Sequence, residues 1–182
     1  ECLGQIKTWS KGHPGHFPIA VLIEAKDEEI GGDFPIDLVK PLPYTAERLD
    51  DLDAEIRTVF DEAEIYTPDD LRGDADTLDE AVTTTGWPTM KAMRGQVMFL
   101  MDNGGTIQDR YKDGHPALEG RVMFTSGTPG QPDAAFVKLN DPFGDATAIK
   151  DAVGAGYVVR TRADTPISQA QSGDTAMQEA AF

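Results

Sequence analysis

Two charged residues stand at the end of an almost wholly apolar run, FPIAVLIEAKD, that extends from Phe17 to Asp27. Such a run is typical of a β-strand that is buried on both faces. Because side chains alternate along a strand, Glu24 and Lys26 would share one face at its carboxyl end. A glutamate there could bind Ca²⁺ or Mg²⁺, and a lysine could bind a phosphate oxygen. From spacing alone, an ion pair between the two, or two solvated side chains, is at least as good an interpretation.

Later strands repeat this arrangement of an apolar run that ends in charge. GQVMFLMDN carries Asp102 at its end, and GYVVRTR carries Arg160 and Arg162 on one face, followed by Asp164. Two guanidinium groups could bind a phosphoryl or carboxylate ligand. A structural pair between an arginine and Asp164 is an equally good interpretation. Lys26, Asp102, Arg160 and Arg162 are therefore the candidate substrate-binding residues, and Glu24 is the candidate metal ligand.

The three histidines fall in turns that precede strands. His13 and His16 lie in KGHPGH, before the first strand, and His115 lies in DGHPALEG. Parallel α/β folds build their active sites at the carboxyl ends of the strands, so these positions are on the opposite side. We therefore predict no catalytic residue among them.

The acidic segment DLDAEIRTVFDE imitates the spacing of a calcium-binding loop. Its candidate ligands would be Asp51, Asp53, Glu55 and Glu62, but Ile56 stands where such a loop needs glycine. The residues also have helical periodicity, so the segment is predicted to be a solvated helix face.

Apolar strands alternate with amphipathic helical patterns, which predicts an α/β fold with parallel strands in a single domain of residues 1–182. The predicted strands are Phe17–Lys26, Gly95–Asn103, Arg121–Ser126 and Gly156–Arg162. Helices are predicted at 3–9, after an N-cap at Thr45, after an N-cap at Thr67, in TLDEAVTTTGWP and in DATAIKDAVGAG. The helix in TLDEAVTTTGWP is predicted to stop at Gly86 and Pro88. The segment AAFVKLN fits either an edge strand or a turn of helix.

Composition limits the partners. The 182 residues include 32 Asp and Glu against 16 Lys and Arg, a formal net charge of -16. That charge repels nucleic acid and anionic lipid, so we expect no nucleic-acid partner and at most transient contact with a membrane surface. No apolar run approaches the roughly 20 residues that span a bilayer. Cys2 is the only cysteine, so no internal disulfide can form.

Several segments together resemble the calcium-dependent phosphoinositide phospholipase C-like family, a branch of the barrel-shaped phosphodiesterases. They are ECLGQIKTWSKGHPGHFPIAVLIEAKD, GQVMFLMDN, LEGRVMFTSG, PDAAFVKLNDP and GYVVRTRADT. The order and spacing of these segments carry the resemblance. The IEAK core alone would not, because glycerophosphodiester phosphodiesterases carry a similar strand end.

The resemblance implies a (β/α)8 barrel with Ca²⁺ at its carboxyl-terminal mouth, where Glu24 matches a glutamate ligand. It implies that the metal lowers the pKa of an inositol hydroxyl and that histidines act as general base and acid. The hydroxyl would attack the phosphodiester of a phosphoinositide, which releases diacylglycerol and forms a cyclic inositol phosphate. Secretion, or another extracytoplasmic location, is expected from the same resemblance.

The chain also departs from the family pattern. The family's catalytic histidines and remaining calcium ligands precede the matching segment, and His13, His16 and His115 do not match them. A complete barrel typically needs about 250 residues. We therefore expect the central to C-terminal part of a TIM barrel, which lacks the N-terminal strands and is inactive by itself. A glycerophosphodiester phosphodiesterase and a non-catalytic barrel that acts as a binding or surface protein are the alternatives.

Overall fold

Short parallel strands form the centre of the fold. The computed structural model describes residues 1–29, 31–32, 38–165 and 167–182. The strands are β1 Ile19–Ile23, β2 Val97–Met101, β3 Met123–Thr125, β4 Phe136–Lys138 and β5 Val158–Arg160. β1, β2 and β3 pair in that order, β4 pairs with β5, and a single parallel bridge between Ser126 and Phe136 joins the two groups. The predicted α/β class with parallel strands is confirmed.

Helices connect and cover the strands. They are α1 Cys2–Gly12, α2 Ala46–Val59, α3 Pro68–Arg72, α4 Leu78–Glu80, α5 Gly105–Lys112, α6 Ala146–Gly154, α7 Ser168–Ser172 and α8 Ala176–Ala181. Both predicted N-caps are confirmed: the Thr45 hydroxyl accepts from the Arg48 amide, and the Thr67 hydroxyl accepts from the Asp70 amide. A π-helical turn, Ala81–Thr85, continues α4 and ends at Gly86, where the sequence predicts a stop.

The undecided segment AAFVKLN is a strand. Its residues form β4, which pairs with β5 and contacts β3 through the Ser126 bridge. Phe136 is fully buried. β4 is therefore an interior strand and not an edge strand.

Strand register separates two faces of the sheet. One face, here called the site face, carries Leu22, Leu100 and Phe124, which are paired neighbours on β1, β2 and β3. Trp87 packs on it, with its ring 5.6 Å from that of Phe124. The opposite face packs on helices, and Phe60 at the end of α2 meets Phe99 at 5.5 Å. On the site face Leu22 is 38% exposed while Leu100 is 5% exposed, so the described residues cover β1 less completely than β2.

The acidic face of α2 is not fully solvated, which corrects the prediction for Asp53. This residue is 6% exposed, and its carboxylate accepts hydrogen bonds from the Tyr111 hydroxyl at 2.7 and 3.0 Å. The Arg121 guanidinium lies 3.6 Å away and also bonds to Asp50. Burial raises the pKa of the Asp53 carboxyl. The network joins α2 and α5 to the residues that precede β3.

Candidate functional site at the carboxyl ends of the strands

A cavity of about 650 Å³ opens where β1 ends and α5 begins. Its walls are the segment after β1, the turn between β2 and α5, and the first turns of α5. The lining side chains include Glu24, Lys26, Asp27, Asn103, Thr106 and Arg110. The cavity therefore lies at the edge where the sequence predicts a site.

Glu24 and Lys26 lie on the same side of the chain, as their spacing predicts. The Lys26 Nζ is 3.1 Å from the Glu24 Oε2, and the two side chains are 73% and 50% exposed. Exposed ion pairs contribute only about 0–1 kcal/mol. The pair corresponds to the ion-pair interpretation, and it is weak enough to open for another ligand. The metal-binding role of Glu24 and the phosphate-binding role of Lys26 stay predictions.

Asn103 holds the residue between them. Its carboxamide makes two hydrogen bonds to the backbone of Ala25, at 2.8 and 2.7 Å. Nothing in the sequence marks this contact, because the two residues lie 78 positions apart. The available sequence signal for a role of Asn103 is that its short polar side chain follows an apolar strand.

Asp102 pairs with a lysine that the sequence did not single out. The Lys138 ammonium donates to the Asp102 carboxylate at 2.9 Å and also to its carbonyl oxygen. Asp102 lies two residues beyond Leu100, and Lys138 lies two beyond Phe136, so alternation places both on the site face. Lys138 went unpredicted because its segment could not be assigned as a strand.

Arg160 stands beside Lys138 at the same edge, since the two residues are paired between β4 and β5. Its guanidinium donates to the Asn140 carboxamide oxygen. Lys138 is neutralised by a carboxylate, whereas the partner that Arg160 has among the described residues is neutral. Arg160 therefore keeps its positive charge available for an anion.

Arg162 is exposed beyond the end of β5. Within the described residues it forms no ion pair with Asp164. The Asp164 carboxylate instead accepts from the Gln169 and Ala170 amides, at 3.1 and 3.2 Å, at the start of α7. The structure thus groups Glu24 with Lys26 in the cavity, places Asp102 and Arg160 beside Lys138 at the carboxyl ends of β2 and β5, and leaves Arg162 apart.

The histidines lie at the amino ends of the strands, as predicted. The His16 Nε2 is 2.7 Å from the Ser10 hydroxyl, and the His16 carbonyl accepts from Gly95, just before β2. His13 stacks on Trp9 with ring centres 4.2 Å apart. The His115 Nδ1 contacts the Glu119 carbonyl at 2.6 Å, before β3.

The described residues include one candidate calcium ligand but not a full set of ligands. Glu24 offers the carboxylate oxygens that Ca²⁺ prefers, yet Ca²⁺ takes about 6–8 oxygen ligands. Across residues 1–29, 31–32, 38–165 and 167–182, no three His, Cys, Asp or Glu side chains are grouped to hold a metal ion. The described residues therefore do not complete a calcium site by themselves.

Comparison with known families and structures points to one group of enzymes. The model of the family described as "Phosphoinositide phospholipase C, Ca2+-dependent" matches residues 1–182. No curated protein matches the sequence significantly.

The helices of the described part of the chain include none long and apolar enough to cross a membrane.

The similar solved structures are bacterial. A calcium-dependent phosphoinositol-specific phospholipase C from Pseudomonas sp, in an apo form, is 21% identical with a TM-score of 0.67, over 96% of this chain and 61% of that chain. A second structure of the Pseudomonas enzyme, described as apo form, myoinositol complex, is 20% identical with a TM-score of 0.66, over 96% and 60%. The Ca²⁺-dependent phosphatidylinositol-specific enzyme from Streptomyces antibioticus is 23% identical with a TM-score of 0.62, over 87% and 56%.

These TM-scores show a shared fold. This chain spans about three fifths of the length of each of these relatives.

Proposed function

Because this chain belongs to the Ca²⁺-dependent phosphoinositide phospholipase C family, we propose that it is the central to C-terminal part of a (β/α)8 barrel that cleaves phosphoinositides or related phospholipids at the phosphodiester. The observation that carries the proposal is the row of polar side chains at the carboxyl ends of parallel strands. Asp102, Lys138 and Arg160 share the site face there, and Asn103, the residue after Asp102, lines the cavity that holds Glu24.

The partial barrel is supported by the two outer strands. Within the described residues β1 pairs only with β2, and β5 pairs only with β4. Leu22 on β1 and Val158 on β5 are 38% and 37% exposed. Further strands would pair with these edges and cover these side chains. The chain would then be one incomplete domain, residues 1–182, of a longer barrel.

Glu24 is proposed to supply one ligand of the calcium site. Its carboxylate faces the cavity and, in the part of the chain that the structure describes, is held only by an exposed ion pair. The remaining oxygen ligands would come from outside the described residues.

Arg160 is proposed to be the main anion-binding residue among the candidates at the strand ends. Lys26 is paired with Glu24 and Lys138 is paired with Asp102, so each of those charges is already compensated. The guanidinium of Arg160 has a neutral partner and can add a charged hydrogen bond to a phosphate oxygen. Lys26, Asp102 and Arg162 are proposed to contribute secondary contacts to the substrate.

The general acid and base are proposed to come from outside this chain. His13, His16 and His115 all lie at the opposite edge of the sheet. The same observation favours a second function, a non-catalytic barrel that binds its ligand without turnover. A glycerophosphodiester phosphodiesterase is the alternative for the substrate. Secretion is proposed for the longer protein.

Binding of myo-inositol 1-phosphate tests the proposal. We expect the wild-type chain to bind this probe with Ca²⁺ present, and Arg160→Gln to weaken binding about tenfold, since a charged hydrogen bond contributes about 1.5–3 kcal/mol. Arg57→Gln is the matched control, because Arg57 pairs with Glu62 and contacts Gly120 before β3, at the opposite edge. Equal weakening by both variants would show a net-charge effect and contradict the assignment.

Hydrolysis assays separate the candidate functions. The chain alone should not hydrolyse phosphatidylinositol or glycerophosphoinositol, with or without Ca²⁺, because it lacks the acid and base. The longer protein should hydrolyse phosphatidylinositol when Ca²⁺ is added. Hydrolysis of the soluble diester alone would favour the glycerophosphodiesterase, and no hydrolysis of either would favour the binding protein.

A further inference from the structure

The side chain of Asn103 extends the pairing between β1 and β2 beyond its last backbone bond. The backbone ladder ends where the Asp102 amide donates to the Ile23 carbonyl at 2.8 Å. Two residues beyond Ile23, the last residue of β1, the Ala25 amide donates to the Asn103 Oδ1 at 2.8 Å. The Asn103 Nδ2 donates to the Ala25 carbonyl at 2.7 Å. One carboxamide therefore satisfies both backbone polar groups of Ala25.

These bonds stabilise a segment that has few other constraints. Ala25 is 4% exposed, so its amide and carbonyl depend on protein partners. Glu24 and Lys26, on either side, are exposed and joined by a weak ion pair that does not define the backbone path. The two Asn103 bonds do define it, because they link the end of β1 to the turn before α5.

We propose that Asn103 is a positioning residue for the cavity: by clamping Ala25, it holds Glu24 and Lys26 in the cavity wall in the geometry needed for ligand binding. The inference rests on the proposed function, because ligand binding by these two residues gives the clamp its purpose. The clamp itself is a matter of structure and can be measured without a ligand.

The chemistry of the clamp is specific to asparagine. Aspartate keeps the acceptor but has no donor for the Ala25 carbonyl, and leucine has a similar shape but neither group. Glutamine has both groups on a side chain that is longer by one methylene. Asn103→Leu therefore removes both bonds with little change in volume, and Asn103→Asp removes one.

Amide hydrogen exchange tests the clamp. In the wild-type chain we expect the Ala25 amide to be protected, and in Asn103→Leu to exchange about tenfold faster or more. The Phe99 amide, in the centre of β2, should be unchanged in the same sample. Gln5→Leu, on the exposed side of α1, is the control for a carboxamide-to-leucine change. Equal protection of Ala25 in the wild type and Asn103→Leu would overturn the clamp.

A double-mutant cycle tests positioning. With myo-inositol 1-phosphate and Ca²⁺, Asn103→Leu should weaken binding about tenfold in the wild type. It should have no further effect when Glu24→Gln and Lys26→Met are already present, because Asn103 acts through those side chains. Equal losses in both backgrounds would show a general structural effect and overturn the positioning role. If the wild type does not bind the probe, the proposed function is wrong, and exchange at Ala25 alone decides whether the clamp exists.

Discussion

Replacing Tyr111 with phenylalanine removes one oxygen atom that serves two buried partners. The Tyr111 hydroxyl donates to the Asp53 carboxylate at 2.7 Å and accepts from the Met123 amide at 2.9 Å. Tyr111 and Met123 are fully buried, and Asp53 is nearly so. Water therefore cannot easily replace the lost hydroxyl.

The cost follows from these two partners. A buried group left without its hydrogen bond costs about 1–3 kcal/mol, and more when it is charged. The Met123 amide and the Asp53 carboxylate each lose one bond, although Asp53 keeps Arg121 nearby. We expect Tyr111→Phe to lower the free energy of unfolding by about 3 kcal/mol. For a chain of this size that is a fall in melting temperature of about 6–12 °C.

Thermal and urea unfolding, followed by circular dichroism, measure this effect. Tyr44→Phe is the matched control, because the Tyr44 hydroxyl makes no hydrogen bond to any part of the chain that the structure describes. The control should unfold within about 0.5 kcal/mol of the wild type. A Tyr111→Phe chain that is as stable as the control would refute the role of the network in joining α2, α5 and β3.

Three further substitutions test other parts of the fold. Gly127→Ala should destabilise the chain by about 2–3 kcal/mol, because a Cβ there would lie 2.7 Å from the Ala134 Cα. Gly12→Ala is the control: no atom lies within 4 Å of a Cβ at that position, so the free energy of unfolding in urea should change little. Burial raises the pKa of Tyr66 to about 12, so between pH 10 and 12 this tyrosine ionises mainly in the unfolded state. Over this range the wild type should lose about 2 kcal/mol more stability than Tyr66→Phe. Thr67→Ala should cost about 1–2 kcal/mol in the same assay through loss of the α3 cap, and no change would contradict the capping box.

Local patterns predicted most elements of this fold. The apolar runs of β1, β2 and β3, the caps at Thr45 and Thr67, and the stop at Gly86 depend on residues close in sequence. β4 could not be assigned from AAFVKLN, because two alanines, which favour a helix, precede its short apolar run. Its conformation depends on pairing with β5 and on the bridge to β3, and both are contacts between distant residues.

Helical periodicity predicts the burial of Asp53, although the whole segment was interpreted as a solvated helix face. Leu49, Asp53, Ile56 and Phe60 recur at intervals of three and four residues, the spacing of one helix face, and all four are buried. The aspartate in this series indicated a buried polar contact rather than a solvated position. Its partner Tyr111, 58 residues away, could not be identified from the sequence.

The candidate residues lie at the carboxyl edge of the sheet, where the sequence places them, but their side-chain partners were not predicted. Apolar strands with charged ends predicted this location, because parallel strands bring their carboxyl ends together. The partners of the predicted residues lie far away in sequence: Lys138 for Asp102, and Asn103 for Ala25. Such contacts depend on strand order and register, which no short pattern encodes.

Mapping a ligand onto the two edges of the sheet tests the central claim most directly. Myo-inositol 1-phosphate, with Ca²⁺, would be added to the isotopically labelled chain and followed by amide chemical shifts. We expect saturable shifts at Ala25, Asn103 and Arg160, at the carboxyl edge, and none at His16 or Gly95, at the amino edge. Shifts confined to the amino edge, or no saturable shift at all, would contradict the assignment of a phosphoinositide site to this part of the protein.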